Sequence, residues 1–306
     1  MMPAANDEFE IVHLCSDDVA EHNRLDVVRD VYGRAIVKHD IEAYPDVPFY
    51  WRSTLRILPG LGLAATALSG ARTRRTAAQI DSDNLVLNII LAGKLIVRQF
   101  GREAVVDPGE LVVTRSADVA SCDVATDSRC VGIRLPLGAI APTIADLDSI
   151  LVRKIPAGTE PLSLLMSYVD VLQDTEALGR PDTRHLVVAH VHDLVALTLG
   201  ATREAAETAK GRGVRAARLR AVKADIVAHI GSRDLSLETV AARQGISTNY
   251  VRKLFEGEGT NFTDFVLEQR IALVRRTLCD PRFADRPIGA IAYEAGFGDL
   301  SYFNRA

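Results

Sequence analysis

TVAARQGISTNYVRKLF (residues 239–255) recurs, degenerate but in the same frame, as AIAYEAGFGDLSYFNRA (residues 290–306). In each copy a short helical stretch carries a small residue, Ala241 or Ala292, followed four positions on by a glycine, Gly245 or Gly296. An apolar residue comes next, Ile246 or Phe297, and then a second amphipathic stretch. The small residue lets two helices cross closely, the glycine can enter the left-handed region that reverses the chain, and the apolar residue plugs the elbow. That is the skeleton of a helix-turn-helix. A single pattern of this kind is common in ordinary helical hairpins, but two copies in tandem point to a duplicated unit.

In the first copy Ser247 is placed to cap the second helix, whose buried face would be Val251, Leu254 and Phe255. Thr248, Asn249, Arg252 and Lys253 are then left facing outward. Asn can pair bidentately with adenine, and Arg or Lys with guanine, from a helix lying in the major groove. Ser247, Thr248, Asn249, Arg252 and Lys253 are therefore the candidate DNA contacts of the first recognition helix. The second copy has one extra turn residue; there Phe303 should face inward, with Ser301, Asn304 and Arg305 as the outward candidates. Between the copies, NFTDFVLEQRIALVRRTLC (residues 261–279) carries the apolar stripe Phe262, Phe265, Val266, Ile271, Val274 and Leu278. One long helix there would hold the two units at a fixed separation, suited to successive major grooves on one face of double-stranded DNA.

Working back toward the N-terminus, the periodicity changes. Residues 182–207 and 161–175 read as a helical hairpin turning at Gly179, Arg180 and Pro181, and residues 201–215, rich in Ala, Glu and Arg, read as a helix end and linker. From Phe49 to Leu135 short apolar runs recur between turn signals: 53–58, 62–69, 85–91, 94–100, 103–106, 110–114 and 129–135. Strands at this spacing imply a sandwich or small barrel. Residues 17–38 read as an amphipathic helix with Val19, Leu25, Val28, Val31 and Tyr32 on one face.

LSLETVAARQGISTNYVRKLF, NFTDFVLEQRIALVRRTL and IGAIAYEAGFGDLSYFNRA together cover nearly all of residues 215–306 and resemble the DNA-binding domain of the AraC/XylS family of bacterial transcriptional regulators. IILAGKLIVRQFGREAVVDPGELVV (residues 89–113) is similar to the cupin-like effector-binding and dimerisation domain of one branch of that family. The resemblance implies control by a small-molecule effector, a homodimer formed through the N-terminal domain, binding to paired sites near promoters, and RNA polymerase as a partner where the protein is an activator. The expected architecture is a multidomain α and β protein. It has an N-terminal cupin-like β-barrel with flanking helices over residues 1–205, a linker at 206–214, and a C-terminal all-α tandem helix-turn-helix domain over 215–306. Family members continue beyond the equivalent of Ala306 with a Phe, a basic stretch, a Gly and a Ser-Pro-x-x-Tyr-Arg-like ending. The expectation is thus that either the last part lies outside this sequence or the second unit is defective.

Composition agrees with this division. A chain of 306 residues exceeds what one core usually supports, and 48% hydrophobic with 25% charged residues is ordinary globular composition. The net charge of −4 is unevenly spread: from Gly211 onward 15 Lys and Arg face 11 Asp and Glu, against 21 and 29 before it. A mildly basic segment on an acidic body is the asymmetry expected when one domain meets phosphate. Cys15, Cys122, Cys130 and Cys279 form no CxxC pair, which argues against a zinc ribbon or a disulfide framework and for a reducing compartment. The acidic start lacks the pattern of a signal peptide, and the apolar stretches 85–93 and 186–200 fall short of the roughly 18 apolar residues of a membrane span. A soluble, cytoplasmic protein without membrane contact is expected.

Catalytic alternatives find little to build on. No Gly-x-Ser-x-Gly, P-loop or Gly-x-Gly-x-x-Gly occurs, and between residues 49 and 135 there is no histidine to supply a cupin metal site. His190 and His192 sit on a helix, where positions two apart point in different directions, and read as ordinary helix residues. Cys122 and Cys130 read as half-buried strand cysteines rather than redox sensors. The cluster Arg72, Arg74 and Arg75 allows two readings, contact with an acidic effector or a solvated loop, and a charged run is more often the second. No catalytic residue, metal or cofactor is expected, and the effector-binding residues are not assigned. The competing readings are a metal-free cupin-like enzyme and an effector sensor acting through protein partners.

Overall fold

The computed structural model describes residues 9–173, 178, 180–202, 206, 213–279, 281–283, 286–299 and 303. The chain divides into two compact units, Met1–Val214 and Arg215–Ala306. The first contains β1 (Glu10–Cys15), α1 (Arg24–Ala35), β2 (Asp40–Ala43), β3 (Tyr50–Leu58), β4 (Leu61–Ser69), β5 (Ala71–Arg75), β6 (Asn84–Ala92), β7 (Leu95–Gln99), β8 (Arg102–Val106), β9 (Leu111–Arg115), β10 (Ala120–Val124) and β11 (Ser128–Pro136). The short helices α2 (Leu137–Ile140) and α3 (Leu147–Ile150), the two-residue β12 (Lys154–Ile155), and the hairpin α4 (Glu160–Gln173) and α5 (Pro181–Leu199) follow.

The strands form a seven-stranded sheet, β1-β3-β4-β11-β6-β9-β12, and a five-stranded sheet, β2-β5-β10-β7-β8, with antiparallel ladders in both. Of the sandwich and the small barrel that the strand spacing implies, the two sheets form the first, and the cupin-like barrel implied by the resemblance is not closed. One edge of the larger sheet is β12, paired with β9 through Lys154↔Val112 and Ile155↔Leu111. The opposite edge of the larger sheet is taken by β1, paired with β3 from Glu10↔Ile57 to Cys15↔Arg52.

Alternation along the strands builds the core. On β6, Val86 and Ile90 join the apolar cluster that also holds Val28, Tyr32 and Ala35 of α1, Trp51 and Leu55 of β3, and Val97 and Val106 of the smaller sheet. Leu85, Leu87 and Ile89 point to the other face and are buried too, so the larger sheet is covered on both sides. The strands missed by pattern are β1, β2, β5, β10 and β12; ARTRR at β5 is a strand rather than a solvated loop.

The first helix is shorter than its periodicity suggests, because two 3-10 turns (Ser16–Asp18, Glu21–Asn23) precede α1. The hairpin's second helix ends at Leu199, capped by Gly200, which is left-handed with φ of 89°; residues 203–205 and 207, which the periodicity assigns to the same helix, lie outside the described residues. His190 and His192 are structural: the His190 ring is hydrogen-bonded to Tyr168 OH at 2.8 Å, and His192 Nε2 donates to the Gly60 carbonyl at 3.0 Å.

The second unit is helical: α6 (Arg215–Ala228), α7 (Leu237–Arg243), α8 (Thr248–Glu256), α9 (Phe262–Leu278) and α10 (Ile288–Glu294). It has two small cores. Leu219, Val222 and Ile226 of α6 pack with Val240, Val251, Leu254 and Phe255 in one, and Ile291, Ala292 and Phe297 form the other. α9 belongs to both, through Val266 in the first and Val274 in the second. It is the long connecting helix that the apolar stripe of residues 261–279 implies, except that Leu278 at the end of that stripe is exposed.

Candidate nucleic-acid interface and ligand cavity

Local hydrogen bonding fixes the first helix-turn-helix. At the start of α7, Ser236 Oγ accepts from the Thr239 N–H at 3.2 Å, and Thr239 Oγ1 accepts from the Ser236 N–H at 3.0 Å. This reciprocal cap satisfies two backbone donors that a seven-residue helix would otherwise leave open. The chain reverses at Gly245, with φ of 62°, and the Ile246 N–H donates back to the Ala241 carbonyl at 3.0 Å. Ser247 Oγ then caps α8 by accepting from the Tyr250 N–H at 3.2 Å. Val251, Leu254 and Phe255 are buried, and the Phe255 ring lies 6.1 Å from that of Phe262 and 5.5 Å from that of Phe265. Arg243 grips Asp225 with a two-pronged contact at 2.8 to 3.1 Å, joining the end of α7 to α6.

On α8, Asn249, Arg252 and Lys253 are exposed and carry no side-chain hydrogen bond or ion pair to another described residue. Thr248 is half-buried, and the Ser247 hydroxyl is engaged in the cap. The second copy repeats the turn: Gly296 has φ of 91°, the Phe297 N–H donates to the Ala292 carbonyl at 3.1 Å, and the buried Phe297 ring packs 5.0 Å from Phe303. Ser301, Asn304 and Arg305 lie outside the described residues.

Between the two sheets of the first unit is a cavity of about 80 Å³. Leu68, Val86, Ile90, Leu95 and Val124 supply apolar wall, Tyr32 and Trp51 an aromatic corner, and His39 and Arg75 two buried polar heads. The Tyr32 ring stands edge-on to Trp51 at 5.2 Å and tilted to His39 at 5.4 Å. Trp51 is held by its indole N–H, which donates to Ser53 Oγ at 2.8 Å. Strand parity decides which arginine reaches the cavity: Ala71, Thr73 and Arg75 share one face of β5, whereas Arg72 turns outward to Asp123 and Arg74 to Glu42. The cavity residues were not legible as a site in the sequence, although Arg75, Cys122 and Cys130 were each singled out there for other reasons. Cys122 and Cys130 also line the cavity, and burial pushes their thiols up to about 11 and about 12, away from thiolate reactivity.

The His39 ring is pushed down to about 4, first by burial and then by the charge of Arg75, against a hydrogen bond to the Val37 backbone that favours the charged form. A ring held neutral in the fold takes up its proton on unfolding. Stability present above the ordinary value of 6.5 is therefore lost as pH falls toward about 4. The loss should approach about 3 kcal/mol. Trp51 is the chain's single tryptophan, so urea unfolding followed by its fluorescence isolates this unit. The pH dependence should flatten in His39→Gln, and an unchanged slope in that variant would contradict the assignment.

Residues 28–200 match the AraC-binding-like domain family, and residues 240–306 match a helix-turn-helix domain family. Transcriptional activator RhrA of Rhizobium meliloti (strain 1021) is 24% identical over 280 residues, which is 91% of this chain and 86% of that protein. Transcriptional activator NphR of Rhodococcus sp is 25% identical over 236 residues, 76% of this chain and 69% of that protein. Among solved structures, the AraC-like transcriptional activator CuxR superposes with a TM-score of 0.52 at 15% identity, covering 86% of this chain and 94% of that one, a likeness of fold.

Proposed function

Because the chain belongs to the AraC family, and is a ligand-controlled DNA-binding regulator rather than an enzyme, we propose that it activates transcription as a cytoplasmic homodimer whose α8 reads base edges in the major groove. The observation that carries the reading is the asymmetry of α8: Val251, Leu254 and Phe255 are packed away, while Asn249, Arg252 and Lys253 stand exposed with no partner among the described residues. Donors left unpaired in this way are free to meet bases and phosphates. Ser247 and Thr248 sit at the start of the same helix, where a backbone N–H group and a short hydroxyl side chain suit a phosphate oxygen. Ser301, Asn304 and Arg305 complete the proposal as the contacts of the second unit. RhrA, NphR and CuxR are each described as activators, which supports activation and hence a contact with RNA polymerase.

In this reading residues 1–205 form the effector-binding and dimerisation domain, 206–214 the linker and 215–306 the DNA-binding domain. The effector occupies the cavity between the sheets, and its differential affinity for two arrangements of the dimer biases one of them. The test is mutational. Asn249→Ala and Arg252→Ala should each lose about 1 to 3 kcal/mol of discrimination between a selected site and random DNA if the side chain reads a base. Equal weakening on both DNAs would assign that residue to phosphate, and no weakening by either variant would remove α8 from the interface.

A further inference from the structure

The cavity contains two polar groups that the fold itself leaves unfinished. Arg75 is only 7% exposed, yet no carboxylate lies within salt-bridging distance of it among the described residues. Its Nε donates to the Lys38 carbonyl at 3.2 Å and Nη1 to the Arg115 carbonyl at 3.2 Å, and its remaining N–H groups have no bond to another described residue. The carbonyls hold the guanidinium in place without neutralising it, Asp81 and Asp118 act on it only from beyond salt-bridging distance, and a buried charge without a contacting partner is costly. His39 is 6% exposed, and its Nε2 is buried without a hydrogen-bond partner among the described residues. Its ring bonds the Val37 backbone, so the other nitrogen makes that contact, and the neutral ring presents Nε2 as a lone-pair acceptor. Around both groups the wall is mostly apolar, with the Tyr32 and Trp51 rings at one corner.

Taking the cavity as the effector site, on which this step rests, we propose that its ligand is an apolar carboxylic acid bound as the carboxylate against Arg75. It also carries a hydroxyl or N–H that donates to His39 Nε2. A carboxylate supplies the missing counter-charge and accepts from the spare guanidinium N–H groups, in the planar geometry that arginine matches best. A donor elsewhere on the ligand satisfies the histidine, and the body between them replaces apolar wall contacts. A neutral ligand would leave Arg75, only 7% exposed, without a contacting counter-charge, and a cation would be repelled by it.

Trp51 lines the cavity and is the chain's single tryptophan, so its fluorescence reports occupancy directly. The probes are p-coumarate, its methyl ester, which removes the charge, and p-methoxycinnamate, which removes the hydroxyl donor. With the full chain, p-coumarate should quench Trp51 saturably, the ester should bind about ten-fold more weakly or worse, and the methoxy compound several-fold more weakly. Arg75→Gln should abolish the acid-over-ester preference, while Arg75→Lys, which keeps the charge, should retain much of it. The wild-type comparison decides the matter even if Arg75→Gln fails to fold. Ester binding as tight as acid binding would overturn the proposal and leave the cavity a site for a neutral effector. Equal binding of p-coumarate and p-methoxycinnamate would overturn the role of His39. Saturable quenching by none of the three would overturn both the ligand class and the reading of the cavity as the effector site.

Discussion

Phe255→Ala is expected to destabilise the C-terminal unit by about 3 to 5 kcal/mol, the range for truncating a fully buried phenylalanine. Phe255 has no exposed surface, and its ring is the one that meets both Phe262 and Phe265 of α9. The loss falls on the element that matters most. α8 spans nine residues, too few to persist without packing, so the face that holds it is also what aims its outward side chains. Since whole domains are stable by only about 5 to 15 kcal/mol, DNA binding should be lost at modest urea concentrations. Far-UV circular dichroism should then show the helical unit melting earlier, while the Trp51 transition of the sheet unit stays in place. A variant that melts and binds DNA as the parent does would contradict the packing role.

The second large effect separates two glycines that look equivalent in the repeat. Gly245 and Gly296 both turn the chain with positive φ, 62° and 91°. Around Gly245 a Cβ would meet nothing within 4 Å, so Gly245→Ala should cost only the left-handed strain, about 1 to 2 kcal/mol. At Gly296 a Cβ would stand 2.6 Å from the Ile230 carbonyl oxygen and 2.9 Å from Arg270 Nε. Arg270 is itself fixed there, donating to Ile230 at 3.3 Å and to the Ser232 carbonyl at 3.0 Å. Gly296→Ala therefore adds an overlap with backbone to the strain, and about 2 to 5 kcal/mol in total is expected. Urea melts of the two variants should differ clearly, and equal losses would mean that the second turn can shift at little cost.

The helix-turn-helix units were legible because everything that makes them is local. Ser236 and Ser247 cap within three residues, Gly245 and Gly296 turn within one, and the apolar stripe of α9 repeats at helical spacing. The cavity was not, because its residues converge from α1, the segment after it, β3 and β5, brought together by pairings such as Ile41↔Thr73 and Cys122↔Thr73. Arg75 could have been found by parity: in ARTRR, Ala71, Thr73 and Arg75 fall on one face once the run is taken as a strand. Charge density made the run read as a loop, and the pairing that makes it a central strand lies far away in sequence. The choice between sandwich and barrel was left open for a related reason. Strand spacing reports how many strands there are, whereas the edge taken by Lys154 and Ile155 depends on a two-residue strand that no pattern announces.

The most direct test of the account is to select bound sites from a random-sequence DNA library with the full chain, and to titrate the selected site against the unselected library across a salt series. The account predicts enrichment of a defined sequence, bound far more tightly than the library, with affinity that falls steeply as salt rises. Enrichment of no sequence at any salt concentration would contradict it.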